Sequence, residues 1–224
     1  MLSLKPGDAG EPLARRTGHS FLQLGVTMLE LAVVVAIVAI LAGLAMPNFS
    51  TWIQNSQIRS TADAIQNGLQ LARADAVRRN TVVRFQLTSS LGANCALSTT
   101  SANWVISLDD PSGLCASAPI DDAFPASDTT NNPAPRIIEM RAATEGSGNS
   151  VIAAGQSTVV FNALGRVSPV PANTISINIS NPTGGACVSA SPSGPMRCLR
   201  VDISTSGRIR MCDPAFASTD PRGC

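Results

Sequence analysis

The chain has one histidine, His19, one lysine, Lys5, and no tyrosine. Beyond residue 19 it therefore offers no imidazole, side-chain amine or phenol. Serine and cysteine triads need an imidazole base, and Walker-type phosphate loops need a lysine. Those enzyme classes are excluded for the body of the chain, as are zinc sites that draw on histidine. Carboxylate, cysteine and arginine chemistry remain, and no acidic pair stands apart from turn residues such as Asp109-Asp110 or Asp121-Asp122. The reading is of a protein that is not an enzyme and holds no cofactor and no metal. Net charge is also nearly absent, since 16 Lys plus Arg against 15 Asp plus Glu leave a formal +1. Nothing pulls the whole molecule towards nucleic acid, so any electrostatic function is local.

Apolar residues, by contrast, are concentrated. They make up 44% of the 224 residues, with a mean hydropathy of +0.18, enough for one or two domains with a sizeable core. From Leu31 to Met46 the chain reads LAVVVAIVAILAGLAM, sixteen residues without a polar side chain, and Met28-Leu29 extend the run backward across Glu30. That length suits a membrane segment. A secretory signal would place Arg15 and Arg16 before an apolar core and follow it with turn residues and a cut. Two features oppose that reading. Glu30 is a carboxylate inside the apolar stretch, where it is costly and usually functional. A helical pattern also continues past Pro47, with Ile58, Ala62, Ile65, Leu69, Ala72 and Ala76 on one face and Gln57, Arg59, Asp63, Gln66, Arg73 and Arg78 on the other. The pattern predicts a helix from Val26 to about Arg79, bent where Pro47 deletes a backbone hydrogen bond, with Gly43 as a second soft point.

The remainder reads as β. Val82 to Leu87 alternates as a half-buried strand, and Trp104 to Leu108, Ile137 to Met140, Thr158 to Phe161, Thr174 to Ile179 and Leu199 to Ile203 are further strands. Their separators are rich in Gly, Pro, Ser, Asn and Asp. The expected class is α+β, a long N-terminal helix followed by a small β-sandwich head with a disulfide-stapled C-terminal segment.

The run Gly25-Val26-Thr27-Met28-Leu29-Glu30 resembles the class III leader of type IV pilins and type II secretion pseudopilins. The resemblance implies that a prepilin peptidase cuts after Gly25, methylates Val26 and leaves Glu30 as the fifth mature residue, with Pro47 in a place that many pilins also fill with Pro. The first mature residue is usually Phe in that family and is Val26 here. The body of the chain is similar to the GspH/FimT type of minor pilins and pseudopilins. The carriers are Leu69-Gln70-Leu71-Ala72-Arg73-Ala74-Asp75-Ala76-Val77-Arg78-Arg79-Asn80, then Trp104 with Asp109, Phe161-Asn162-Ala163-Leu164-Gly165-Arg166, and Gly207-Arg208-Ile209-Arg210. Asp75 stands where Glu is commoner. The resemblance implies a leader over 1–25, a transmembrane helix half over 26–47, an amphipathic half over 48–80 and a β-rich head over 81–224. It also implies docking of Glu30 on a neighbouring subunit's N-terminal amine, which offsets the cost of a carboxylate in hydrocarbon.

Six cysteines, at 95, 115, 187, 198, 212 and 224, all follow the apolar run, and none forms a Cys-x-x-Cys pair. Export makes disulfides the expectation over a four-cysteine zinc site, with 15 connectivities open. Pairing of neighbours is expected, Cys95 with Cys115, Cys187 with Cys198 and Cys212 with Cys224. Each encloses a loop with too few apolar residues to hold itself.

Between Arg197 and Arg222 five Arg (197, 200, 208, 210 and 222) face three Asp (202, 213 and 220), a local excess of two. In an extended segment Arg208 and Arg210 point to one side, where two guanidiniums can grip successive phosphates. The bland alternative is a pair of solvated charges that keep an edge strand from aggregating. The resemblance implies DNA contact through Gly207, Arg208 and Arg210, with Arg166 and Arg200 as further candidates. The expected function is that of a minor pilin, with a type II secretion pseudopilin as the alternative. Its expected partners are other major and minor pilins, the prepilin peptidase, an inner-membrane assembly platform and double-stranded DNA. The expected location is the inner membrane with a periplasmic head, then the fibre.

Overall fold

The computed structural model describes residues 27–144 and 148–224, without the side chains of 44–48. The chain divides into two compact units, Met1–Leu44 and Ala45–Cys224. Helix α1 spans Met28–Arg78. It opens on a capped turn, in which the Thr27 hydroxyl accepts a hydrogen bond from the backbone N–H of Glu30 at 3.2 Å. In the first unit Leu31, Val33, Val34, Val35, Ile37, Val38, Ile40 and Leu41 are all exposed. Among the described residues no helix is long and apolar enough to cross a membrane. The helix assignment runs through Pro47 without interruption.

In the second unit the helix carries the stripe that its periodicity predicts. Ile58, Ala62, Ile65, Leu69, Ala72 and Ala76 are completely buried, and each large aliphatic side chain among them contributes about 1.5–3 kcal/mol. The helix stops at Asn80, whose φ of 48° is left-handed. Thr81 N–H then bonds the Ala76 carbonyl and Asn80 N–H that of Val77, the paired closure of a Schellman turn. Near this end Asp75 is buried and accepts Arg78 Nη2 at 2.6 Å, with Arg79 Nε at 3.6 Å. Arg79 also reaches Asp122 at 2.7 Å, tying the 109–135 loop to the helix.

Among the described residues eight strands follow, β1 Val83–Thr88, β2 Asn103–Ser107, β3 Ile137–Arg141, β4 Val151–Ala154, β5 Thr158–Phe161, β6 Ile175–Ser180, β7 Leu199–Ile203 and β8 Ile209–Cys212. They form two four-stranded sheets, ordered β3-β2-β1-β5 and β4-β6-β7-β8, antiparallel throughout. Residues of both sheets, among them Phe85, Trp104, Ile177 and Val201, join the helix stripe in one core.

Strand β1 differs from its expectation as a half-buried strand, because Gln86 and Thr88 are buried as well as Phe85 and Leu87. The cause is a second small core on the outer face of that sheet, made by Cys95, Cys115, Val105 and Ile137. Gln86 lies opposite Val105 and stays satisfied by accepting the Ser107 hydroxyl at 2.9 Å. The long 109–135 loop is held inside itself by Asn132, which is buried, accepts Asp121 N–H at 2.7 Å and donates to the carbonyls of Asp121, Phe124 and Pro125. Arg136 closes that loop on Asp109.

Helix and second sheet are also joined by polar contacts. The Asn181 amide donates to Gln54 and Gln57 of α1. The Arg197 N–H donates to Asn55 at 2.7 Å.

Candidate functional site

All six cysteines are paired, Cys95 with Cys115, Cys187 with Cys198 and Cys212 with Cys224. No free thiol is left among the described residues. Asp202, Cys212 and Cys224 bring potential ligand atoms within 4.8 Å of one another. The two sulfurs are bonded to each other, so the group offers no thiolate to a cation.

Strand β8 is an edge strand, and its register on β7 decides which arginines are available. Asp202 lies opposite Arg210, Arg200 opposite Cys212, and Ser176 of β6 flanks Asp202 on the other side. Residues two apart in a strand share a face. Arg200, Asp202 and Arg210 therefore stand on the face opposite Val201 and Ile203, which are fully buried. Asp202 accepts the Ser176 hydroxyl at 2.7 Å and pairs with Arg200, whose Nε and Nη2 lie 3.0 and 3.2 Å from its two oxygens. Arg200, a candidate contact on sequence grounds, is thus held by a carboxylate of its own strand.

The neighbouring ion pairs complete the local accounting. Arg197 lies 3.7 Å from Asp213, and Arg222 lies 3.0 Å from Asp220. Both guanidiniums also lie over the Phe216 ring, at 5.1 and 3.9 Å, a cation–π arrangement that seats Arg197 against the loop that Cys212–Cys224 closes. The hydrogen bonds from Arg222 hold the Asp220 carboxyl below its ordinary range. Three of the five arginines thereby have acidic partners, while Arg208 and Arg210 belong to no ion pair among the described residues. The excess of two is localised on these side chains, which with Thr174, Asp202 and Ser204 line one surface depression. Ser204 anchors the Arg208 backbone, its hydroxyl accepting Arg208 N–H at 3.1 Å and its N–H donating to the Arg208 carbonyl at 3.0 Å.

Gly207 sets this turn in place. Its φ is +81°, and a Cβ there would sit 2.1 Å from the Gly165 carbonyl oxygen. Only glycine meets both requirements. The contact brings the 162–166 turn, with Arg166 exposed at its end, against the 204–208 turn that carries Arg208. The structure thus draws together Gly207, Arg208, Arg210 and the Arg166 turn, and diverts Arg200.

Of the other candidate residues, Glu30 and Pro47 lie on the helix. Glu30 is exposed in the first turn of α1. Gly25 and Val26 lie outside the described residues, as does the side chain of Pro47. Two residues near the helix end were legible only as motif positions. Asp75 is the buried carboxylate between two arginines, and Arg73 donates from Nε to the Gly165 carbonyl at 3.0 Å.

Residues 61–207 match the family described as type II transport protein GspH. No curated protein matches the chain. Among solved structures, the type IV minor pilin FimU of Pseudomonas aeruginosa aligns in two crystal forms. One has a TM-score of 0.44 at 13% identity, covering 73% of this chain and 93% of that one. The other has a TM-score of 0.42 at 14% identity, covering 72% and 98%.

Proposed function

Because this chain belongs to the GspH family, matched over residues 61–207, as a pilin-like protein of the GspH/FimT type, we propose that it is a minor subunit of a type IV pilus whose head binds double-stranded DNA. The apolar run from Leu31 to Met46, together with the residues ahead of it, holds the subunit in the inner membrane with a periplasmic head. Prepilin peptidase cuts after Gly25 and methylates Val26. Glu30 then meets a neighbouring subunit's N-terminal amine as the helix leaves the membrane platform for the fibre among other pilins. What supports this is the row of exposed apolar side chains from Leu31 to Leu41 with one carboxylate, Glu30, ahead of it. A helix with no polar face needs an apolar surrounding, either lipid or other such helices.

The observation that carries the DNA reading is the pair Arg208, in the turn that leads into edge strand β8, and Arg210, on that strand, which line one depression with the nearby carboxylates already engaged. Two guanidiniums without acidic partners suit phosphates, read without sequence preference and weakened steeply by salt. A second reading, a type II secretion pseudopilin, is favoured by the description of the matched family.

The test is intact-mass analysis of the full chain made with a prepilin peptidase, followed by recovery of sheared pili. A mature protein that starts at methylated Val26 and co-purifies with pili is expected, with Glu30→Ala cleaved normally yet depleted from the fibre. Cleavage elsewhere, for example after Ala45, would overturn the pilin reading, and recovery with the secretion system alone would select the second reading.

A further inference from the structure

Three segments meet on one oxygen atom. The Gly165 carbonyl accepts the Nε–H of Arg73 from α1 at 3.0 Å. It is also packed by the backbone of Gly207, so closely that a Cβ there would lie 2.1 Å away. Gly165 itself has a φ of +69°, and a Cβ on it would lie 3.1 Å from that same Nε. The residues that follow these two glycines are Arg166 and Arg208, both exposed. The Gly165 carbonyl carbon is 3.2 Å from the Cβ position of Gly207. Standard backbone lengths then put the Cα atoms of Arg166 and Arg208 within about 11 Å, so two long side chains can reach neighbouring phosphates. Neither Arg73 nor Arg166 belongs to an ion pair among the described residues.

We propose that Arg73 is a positioning residue for DNA binding: by holding the Gly165 carbonyl it fixes the Arg166 turn against the Arg208 turn and so makes one phosphate-binding face from two separate loops. This rests on the DNA reading given above. The role needs a donor at the Nε position. In lysine the atom that occupies this position is a methylene carbon, with the ammonium one bond further out, so lysine keeps the charge and loses the clasp. A residue that merely added positive charge would tolerate that exchange.

The experiment is a titration of short duplex DNA into the full chain in a nonionic detergent, between 50 and 200 mM salt, for wild type, Arg73→Met and Arg73→Lys. Each phosphate contact contributes about 0.9 to the slope of log affinity against log salt, or about a 3.5-fold loss of affinity over that range. Both variants should bind severalfold more weakly at 50 mM salt and lose about one contact from the slope. Thiol counts and circular dichroism spectra, taken alongside, should show both variants folded and fully oxidised. Wild-type affinity and slope in both variants would overturn the positioning role alone. A normal Arg73→Lys beside a weakened Arg73→Met would also overturn it, since charge would then suffice. No binding by wild type would instead overturn the DNA reading, and the positioning role with it.

Discussion

Asp202 takes the guanidinium of Arg200, two residues before it on β7, and leaves Arg210, its partner across the ladder, without a carboxylate. One acidic residue therefore decides which of two nearby arginines stays available. It can do so because the Ser176 hydroxyl donates to Oδ1 of the same carboxylate and holds it in place.

Asp202→Asn should release Arg200 and add one unit of positive charge to the face. DNA affinity should rise severalfold at low salt, with a salt slope steeper by about 0.9. Stability should fall by about 1–2 kcal/mol, because hydrogen bonds to a charged group are lost. Titration together with thermal unfolding checks both, and unchanged DNA binding would argue against any contact through this face.

Gly207→Ala should be among the most damaging single-methyl additions in the head. The new Cβ would need a strained φ and would press on a backbone carbonyl, which cannot rotate away. A cost of about 2–4 kcal/mol is expected, read as a lower melting temperature. A wild-type melting temperature would show that the 204–208 turn can leave Gly165 freely.

Thiol labelling of the unfolded, unreduced protein should find no free cysteine. Replacing Cys187 and Cys198 together by Ser should cost about 3 kcal/mol in the chain-entropy model, for a bridge of sequence separation 11. A labelled thiol, or equal denaturant midpoints, would contradict the bridge or its role.

Acid should weaken the closure of the 109–135 loop. Arg136 donates from Nε and Nη2 to the two oxygens of Asp109, each at 2.6 Å. These bonds hold the carboxyl below its ordinary 3.8. A carboxyl depressed in the folded state stabilises above its unfolded value, and that contribution is lost as pH falls below about 4 and through the folded value. Wild type should therefore exceed Asp109→Asn in urea midpoint at pH 6, and the gap should close towards pH 2.5. A gap that persists at the lower pH would point to packing instead of ionisation.

Much of this architecture can be read in the chain. The stripe from Ile58 to Ala76 is legible because one helix face is buried without interruption, and β5 and β7 fall where alternation places them. Strand β4 is not legible, since Val151–Ala154 is four residues, half of them alanine, and is a strand only because β6 pairs with it. Strand β8 reads only as an extended segment, for its Ile209 and Met211 are half-buried and contrast weakly with Arg210. The covered outer face of β1 depends on a loop that returns through Cys95 and Cys115, which no local pattern encodes. At the candidate site, the excess of two arginines is a count, and only strand register shows which two they are.

The bonds that Asn181 and Arg197 donate to Gln54, Gln57 and Asn55 bear on how the head would carry mechanical load. These amides hold Asn181, ahead of Cys187, and Arg197, next to Cys198 inside the loop that the Cys187–Cys198 bridge closes. Tension along the helix would reach the second sheet at two anchor points joined covalently through that bridge. A pull on the helix would thus be passed to the end of β6 and the approach to β7 alike, and reduction of that bridge would leave the two anchors joined covalently only through the intervening main chain.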